Sequence, residues 1–193
     1  MPAVTTGIRV DAARWVAHDA LTGLPARWLH TVGVAERAAE LSVTVEPLER
    51  DLLVASAWLH DIGYARALRV TGFHALDGAL FLERHGWPAR LCALVAHHSG
   101  GWFVGGAMGL DEELRRFTRE LSPVSDALAY ADQTVGPRGQ RLPLRQRLAE
   151  AVHRHGPDSP QGRVHPFRRA YLLAAAARVE QRLERRAGRP TAV

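Results

Sequence analysis

Apolar residues recur along this chain with the three- and four-residue spacing of α-helices. In the clearest segment, from 89 to 98, positions i, i+3, i+4 and i+7 are Leu91, Leu94, Val95 and His98. This spacing places all of these side chains on one face of a helix. No strict alternation of apolar and polar residues persists along the chain, and such alternation is typical of a half-buried strand. The pattern therefore predicts an all-α fold.

Glycine and proline divide the helical pattern into segments. Ser122 followed by Pro123 is typical of a helix start, because a serine side chain caps the first turn and proline fits the first helical position. Gly63 and the run Gly86-Trp87-Pro88 indicate helix ends. We expect helices over residues 10–21, 25–41, 47–62, 74–85, 89–98, 111–121, 144–155 and 166–186, and another that begins at Pro123.

The segment from Ser99 to Gly109 contains five glycines around Trp102 and Phe103. Glycine disfavours helix, so we predict a mobile loop with an apolar tip, either a lid over a binding site or a long surface connection. The sequence shows no internal repeat and no domain boundary. We expect a single-domain helical bundle, with a first helix within residues 1–25, a core over 26–140, C-terminal helices over 141–187 that pack on the core, and a disordered tail at 188–193.

One dipeptide stands in an unusual setting within this pattern. His60 and Asp61 follow the apolar run 52–59 and precede Ile62, so the pair lies at the end of a helix that enters the core. A buried carboxylate is costly unless something pairs with it, and a divalent metal suits both a neutral imidazole and a carboxylate. The same dipeptide at His18-Asp19 has no such apolar flanks, and we interpret it as a surface pair.

Further histidines and aspartates lie on or at the ends of predicted helices. Helical phase places His98 on the inward face and His97 toward its edge, so His98 is the better candidate and His97 a secondary one. Taken singly, His30 and His74 fit ordinary core or surface residues better than metal ligands. Six protein ligands exceed what a structural zinc needs, so we propose a two-metal centre with a bridging carboxylate. The candidate ligands are His30, His60, Asp61, His74, His98 and Asp132.

This ordered set resembles the signature of the HD-domain metal-dependent phosphohydrolases, which is a helix histidine, an adjacent His-Asp pair and a distant aspartate. The resemblance runs from about Trp28 to Arg138. His74 and His98 resemble the histidines that supply a second metal in dinuclear members of the family. The run from His30 to Glu36 is similar to small bacterial hydrolases of symmetrical dinucleoside tetraphosphates, although the lysine that those proteins commonly carry after the His-Asp pair is absent here. The matching residues are His30, His60, Asp61 and Asp132.

The resemblance implies a metal-dependent phosphohydrolase that cleaves a nucleotide or another small phosphate ester with a metal-activated water, and in which Asp61 is the catalytic, bridging carboxylate. Diiron oxygenases of the same superfamily share the scaffold and are the alternative, and a non-catalytic metal-binding or ligand-binding domain is a third. Nitrogen and carboxylate ligands without thiolates suit one or two ions of Mn, Fe, Co, Ni or Zn, and suit Mg less. Arg66 and Arg138 are secondary candidates for contacting a phosphate.

Charge and composition limit the chemical classes of partner that the protein is expected to bind. The net charge of +5 favours an anionic partner, but the basic residues are all arginine and do not interleave with aromatic residues, so nucleic-acid binding is not expected. The single cysteine, Cys92, excludes an internal disulfide. Neither a signal-peptide pattern nor an apolar stretch of about 20 residues is present. We expect a cytoplasmic protein with a small, phosphate-containing anionic substrate and no membrane partner, and an oligomer is compatible with the sequence.

Overall fold

The computed structural model describes residues 8–188, except for the side chains of residues 151–155. Eleven α-helices and five short 3₁₀ turns form within this range and are joined by loops. Within that part no β-strand forms, and one isolated antiparallel bridge joins Val135 to Arg141. The predicted all-α class is confirmed. The helices are α1 (Val10–Leu21), α2 (Pro25–Leu41), α3 (Arg50–Leu59), α4 (His74–Arg84), α5 (Ala89–His97), α6 (Gly101–Ala107), α7 (Asp111–Leu114), α8 (Pro123–Gln133), α9 (Leu144–His155), α10 (Pro160–Arg163) and α11 (His165–Ala187).

Helix α3 lies at the centre of the bundle. It packs against α1 and α2, and it also contacts α5 and α8. Leu53, Ala57 and Leu59 of α3 are fully buried, as expected for a helix that is apolar on most of its surface. Among the described helices, none is both long and apolar enough to span a membrane. The four helices that contact α3 enclose its C-terminal end, where His60 and Asp61 follow.

The helix starts agree with the proline and serine signals in the sequence. Helix α2 begins at Pro25 and α8 at Pro123, as predicted. The Ser122 hydroxyl accepts a hydrogen bond from the Ser125 amide at 3.1 Å, and the Ser125 hydroxyl accepts one from the Ser122 amide at 3.0 Å. This reciprocal capping satisfies two amides that the first turn of α8 cannot pair by itself.

The prediction of a loop over 99–109 was wrong, because α6 occupies most of this segment. A Cβ at Gly105 would collide with Leu114 and would lie 3.4 Å from Phe73. The absence of a side chain at Gly105 therefore lets α6 pack tightly against α7 and the segment before α4. Close packing of this kind overrides the low helix propensity of glycine.

Two predicted helices have other boundaries in the structure, and one short helix was not predicted. The helix expected over 111–121 ends at Leu114, after which the chain turns so that Phe117 is buried. The helix expected over 47–62 is divided into a 3₁₀ turn, α3 and a second 3₁₀ turn at Ile62–Tyr64. The short helix α10 was not predicted. Of the tail expected at 188–193, residues 189–193 lie outside the described residues, as do residues 1–7 of the N-terminal segment.

The C-terminal helix α11 packs along α8 and is attached to it by charge. Arg178 donates two hydrogen bonds to the buried Asp126 carboxylate, at 2.9 and 2.6 Å, and Arg182 donates a third at 3.0 Å. This arrangement neutralises a carboxylate that burial would otherwise destabilise. A second, smaller apolar cluster joins α8, α9 and α11 through Ala129, Leu148 and Leu172.

Gly63 lies where the 3₁₀ turn Ile62–Tyr64 meets the first turn of α4. A Cβ at this position would collide with the His74 carbonyl oxygen and would lie 2.6 Å from the Gly78 amide nitrogen. Both are backbone atoms, which cannot move aside as a flexible side chain can. Glycine at position 63 therefore allows the start of α4 to approach the end of α3.

Replacing Gly63 by alanine should lower the free energy of unfolding by about 1–3 kcal/mol, the usual cost of overpacking. The measurement is the thermal midpoint, which should fall by about 2–4 °C for each kcal/mol in a chain of this size. Gly23→Ala is the matched control, because a Cβ at Gly23 meets nothing within 4 Å. Equal melting temperatures for the two variants would show that the close approach at Gly63 is not a constraint.

Candidate metal centre

The predicted ligand residues come together at one end of the bundle. They are contributed by α2, by the end of α3, by the start of α4, by the 3₁₀ turn after α5 and by α8. Two overlapping groups have ligand atoms that lie within 4.8 Å of one another, namely His30, His60 and Asp132, and His60, Asp61 and His98. All of these residues are buried. His74 completes the cluster and is partly exposed, with its side chain 22% accessible.

The Asp61 carboxylate presents one oxygen to each half of the cluster. Its Oδ2 lies 3.3 Å from His60 Nε2 and 3.7 Å from His30 Nε2. Its Oδ1 lies 3.3 Å from His74 Nε2 and 3.9 Å from His98 Nε2. One carboxylate therefore faces two pairs of imidazoles, an arrangement that would suit a ligand shared by two metal ions.

Hydrogen bonds to backbone carbonyls orient three of the imidazoles. A carbonyl oxygen can only accept, so each of these bonds assigns a proton to Nδ1 and leaves the lone pair on Nε2. The Nε2 atoms all point into the cluster, as in histidines that bind a metal. The Nδ1 donors are those of His30, His60 and His98, bonded to the carbonyls of Gly136 at 3.1 Å, Ala57 at 2.7 Å and Val95 at 2.7 Å.

The Gly136 carbonyl reaches His30 because the turn after α8 lies close to α2. A Cβ at Gly33 of α2 would lie 2.8 Å from the Gly139 carbonyl oxygen and 2.9 Å from a methyl carbon of Val135. Gly139 also has a φ of +77°, and its own Cβ would lie 2.8 Å from the Leu29 carbonyl oxygen. Glycine at both positions therefore lets this turn approach α2 and support His30.

The cluster fits a bound cation. His60 Nε2 is buried and has no hydrogen-bond partner among the residues described. His30 Nε2 lies 3.0 Å from Asp132 Oδ1, and both atoms are acceptors when His30 carries its proton on Nδ1. Acceptors this close repel one another unless a positive charge lies between them. Nitrogen and carboxylate donors are the set that divalent transition metals prefer.

The electrostatics of the site also favour a positive charge. Burial would raise the pKa of Asp61, but the charges of His60 and Arg27 hold this pKa well below its ordinary value. Burial would lower the pKa of His60, but Asp61 and Asp132 outweigh burial and raise it. Desolvation lowers the pKa of His74 to about 3. The pKa of Asp132 is likewise lowered against the effect of burial, chiefly by its interaction with His30 and the charge of His60. Asp61 and Asp132 therefore remain ionised, and either a proton on His60 or a metal ion balances their negative charge.

Asp132 is oriented by two neighbouring side chains. The Ser99 hydroxyl donates to Asp132 Oδ2 at 2.5 Å and the Gln133 amide donates to the same oxygen at 2.7 Å, which leaves Oδ1 facing His30. Ser99 has φ 52° and ψ 32°, a left-handed conformation that is unfavourable for a residue with a side chain. Backbone strain of this kind is concentrated at functional sites, and here it brings the Ser99 hydroxyl to a candidate ligand.

A cavity of about 240 Å³ opens onto the cluster. Arg27 Nη1 donates to Asp61 Oδ2 at 2.6 Å, and its guanidinium lies 3.9 Å from the centre of the Tyr64 ring. The lining combines candidate ligands, arginines and apolar side chains. Among them are Asp61, His74, His98 and Asp132, then Arg27, Arg147 and Arg168, and then Phe73, Ala75 and Val104.

The secondary candidates lie elsewhere. His97 Nε2 donates to the Phe117 carbonyl at 2.8 Å and is not brought into the cluster. Arg66 and Arg138 are exposed and do not line the cavity. His18 and Asp19 are both exposed, in agreement with the surface interpretation of that pair.

Three arginines of the cavity were missed from the sequence. Arg27 precedes His30 by three residues on α2, so helical phase could have placed it on the same face. Arg147 and Arg168 lie on α9 and α11 and carry no comparable signal, because arginine is abundant throughout the chain. Their place in the cavity follows from how the C-terminal helices pack.

The HD domain family model matches residues 27–136, which is more than half of the chain. The chain therefore belongs to the HD domain family, whose members bind divalent metals and are generally metal-dependent hydrolases. No curated protein and no solved structure matches the chain. The family match ends before α9, so Arg147 and Arg168 lie outside it.

The affinity for a divalent ion should fall as the pH decreases. The pKa of His60 is raised by the two carboxylates, so a proton occupies this imidazole at a higher pH than usual and competes with the metal. Below that pKa the affinity should fall by about tenfold per pH unit for each proton displaced.

Calorimetric titration with Mn²⁺ between pH 6 and pH 8, in buffers of different ionisation enthalpy, measures both the affinity and the protons released. The control is His97→Gln, which changes an imidazole outside the cluster and should keep the same dependence. A Mn²⁺ affinity that does not vary with pH would contradict this account of the site.

Proposed function

We propose that the protein is a metal-dependent phosphohydrolase that acts on a nucleotide or another small phosphate ester. The observation that carries the proposal is the position of Asp61, whose two oxygens face two pairs of histidines at an arginine-lined cavity. The family match supports hydrolase chemistry. The ligand chemistry favours one or two ions of Mn, Fe, Co, Ni or Zn over Mg.

The candidate ligands divide between two metal positions. His30, His60 and Asp132 would hold the first ion with Asp61 Oδ2, and His74 and His98 would hold the second with Asp61 Oδ1. When bound, such ions supply Lewis acidity that lowers the pKa of a coordinated water and neutralises charge on phosphoryl oxygens.

The other residues of the site orient the ligands and the substrate. Ser99 and Gln133 keep one oxygen of Asp132 turned away from His30. Arg27 holds Asp61 through Nη1, and its guanidinium carries further N–H donors that suit a phosphate in the cavity. The lowered pKa of His74 favours its neutral form, which is the form of imidazole that binds a metal ion.

Replacing Asp61 by alanine should abolish metal binding and phosphatase activity together and leave the helix content largely intact. Loss of a residue that supports a metal ligand costs about 10- to 100-fold, so loss of the bridging ligand itself should cost at least as much. The measurements are elemental analysis of the purified protein, circular dichroism, and hydrolysis of a panel of nucleotides and phosphate esters with the metal that the protein carries.

Asp19→Ala is the matched control, because it changes the aspartate of an exposed His-Asp pair and should leave metal content and activity unchanged. Full activity of the Asp61→Ala variant would overturn the proposal. Oxygen consumption during turnover would instead indicate a diiron oxygenase of the same superfamily. A bound metal without hydrolysis of any phosphate ester would indicate a non-catalytic binding domain.

A further inference from the structure

Two arginines from the C-terminal helices line the cavity without an anionic partner. Arg147 of α9 is 7% exposed, and its Nε and Nη1 are buried and form no hydrogen bond with any described residue. Arg168 of α11 donates through Nε to the Ser99 carbonyl at 2.8 Å, which is a neutral acceptor. Within the described part of the chain, neither guanidinium forms an ion pair with a carboxylate within 4.0 Å.

A buried guanidinium such as that of Arg147, or a partly buried one such as that of Arg168, is unfavourable without a counter-ion. Arginine remains charged in proteins, and an unpaired buried charge is costly. Burial lowers the pKa of Arg168, and the charges of Asp132 and Tyr64 oppose this effect without cancelling it, while the charge of Arg147 adds to it. Elsewhere the same fold pairs its buried charge, since Arg178 and Arg182 neutralise Asp126. Arg147 and Arg168 differ from this pattern, and a bound anion would neutralise their charge.

The carboxylates of the candidate metal site do not form ion pairs with these arginines, although the charge of Asp132 acts on Arg168 from beyond ion-pair distance. Asp61 already accepts a hydrogen bond from Arg27, and Asp132 accepts hydrogen bonds from Ser99 and Gln133. Arg147 and Arg168 line the same cavity as both aspartates without forming an ion pair with either of them. Their charge is therefore left for a molecule that enters the cavity.

We propose that Arg147 and Arg168 form a second anion subsite, which binds a phosphate group of the substrate other than the one held at the metal centre. The inference rests on the proposed function and names its substrate class, which is a compound with two or more linked phosphate groups, such as a nucleoside diphosphate or triphosphate. Guanidinium groups suit this task because their N–H donors match phosphate oxygens in pairs. Both arginines lie outside the family match, so the selectivity would come from this chain's own C-terminal helices.

The test compares two ligands in which each phosphorus is bonded to carbon and not to an ester or bridging oxygen, so neither is expected to be hydrolysed. Methylenediphosphonate carries two linked anionic groups and methylphosphonate carries one. Binding of each to the full chain is measured by calorimetry at the same excess of free Mn²⁺. We expect the wild-type protein to bind the diphosphonate at least about tenfold more tightly, because a charged hydrogen-bonding pair contributes about 10- to 100-fold in affinity.

Arg147→Gln should weaken diphosphonate binding by about 10- to 100-fold and leave methylphosphonate binding nearly unchanged. Arg168→Gln is the second variant and should show the same selectivity if Arg147→Gln does not fold. Arg145→Gln is the matched control, because Arg145 lies on the same helix, is exposed, and does not line the cavity. Equal weakening of both ligands, or of neither, by the folded variants would overturn the subsite.

Failure of the subsite and failure of the proposed function give different results. A selective loss of diphosphonate binding in a protein that hydrolyses no phosphate ester would support the subsite and contradict the phosphohydrolase. Phosphatase activity together with unchanged diphosphonate binding in the Arg147→Gln and Arg168→Gln variants would support the phosphohydrolase and contradict the subsite.

Discussion

The buried negative charge of Asp61 is the constraint on which the rest of the site depends. Its side chain is 3% exposed, and a carboxylate at that depth requires positive charge around it. Arg27 supplies part of it, and imidazole nitrogens surround both oxygens. Helices α2 and α4 bring His30 and His74 to opposite oxygens of Asp61. The packing at this end of the bundle therefore places polar groups around this one carboxylate.

Backbone atoms also contribute to this arrangement. Carbonyl oxygens orient three imidazoles through Nδ1, and glycines allow the close approaches that bring the supporting segments together. Gly63 lets α4 approach α3, and Gly33 lets the turn after α8 approach α2. The geometry of the candidate ligands therefore depends on tightly packed backbone as well as on the histidines and aspartates themselves.

Local sequence patterns predicted the helices and the residues that converge, and long-range packing accounts for most of what they missed. An apolar run ending in His60 and Asp61 indicated burial. Helical phase distinguished His98 from His97, although α5 ends at His97 and His98 begins the 3₁₀ turn that follows. The helix at Gly101–Ala107 was missed because its stability depends on contacts with Phe73 and Leu114. Arg147 and Arg168 could not be distinguished from the other arginines, since their burial depends on how α9 and α11 pack.

Ser99 connects the candidate metal centre to the C-terminal helices. Its hydroxyl holds Asp132, and its carbonyl accepts a hydrogen bond from Arg168. A ligand that stabilises Ser99 in its left-handed conformation from one side lowers the cost of binding on the other side, and thermodynamic linkage makes that effect reciprocal. A metal ion and a polyanionic substrate that both act through this residue would each increase the affinity for the other, which would make the loaded site cooperative within a single chain.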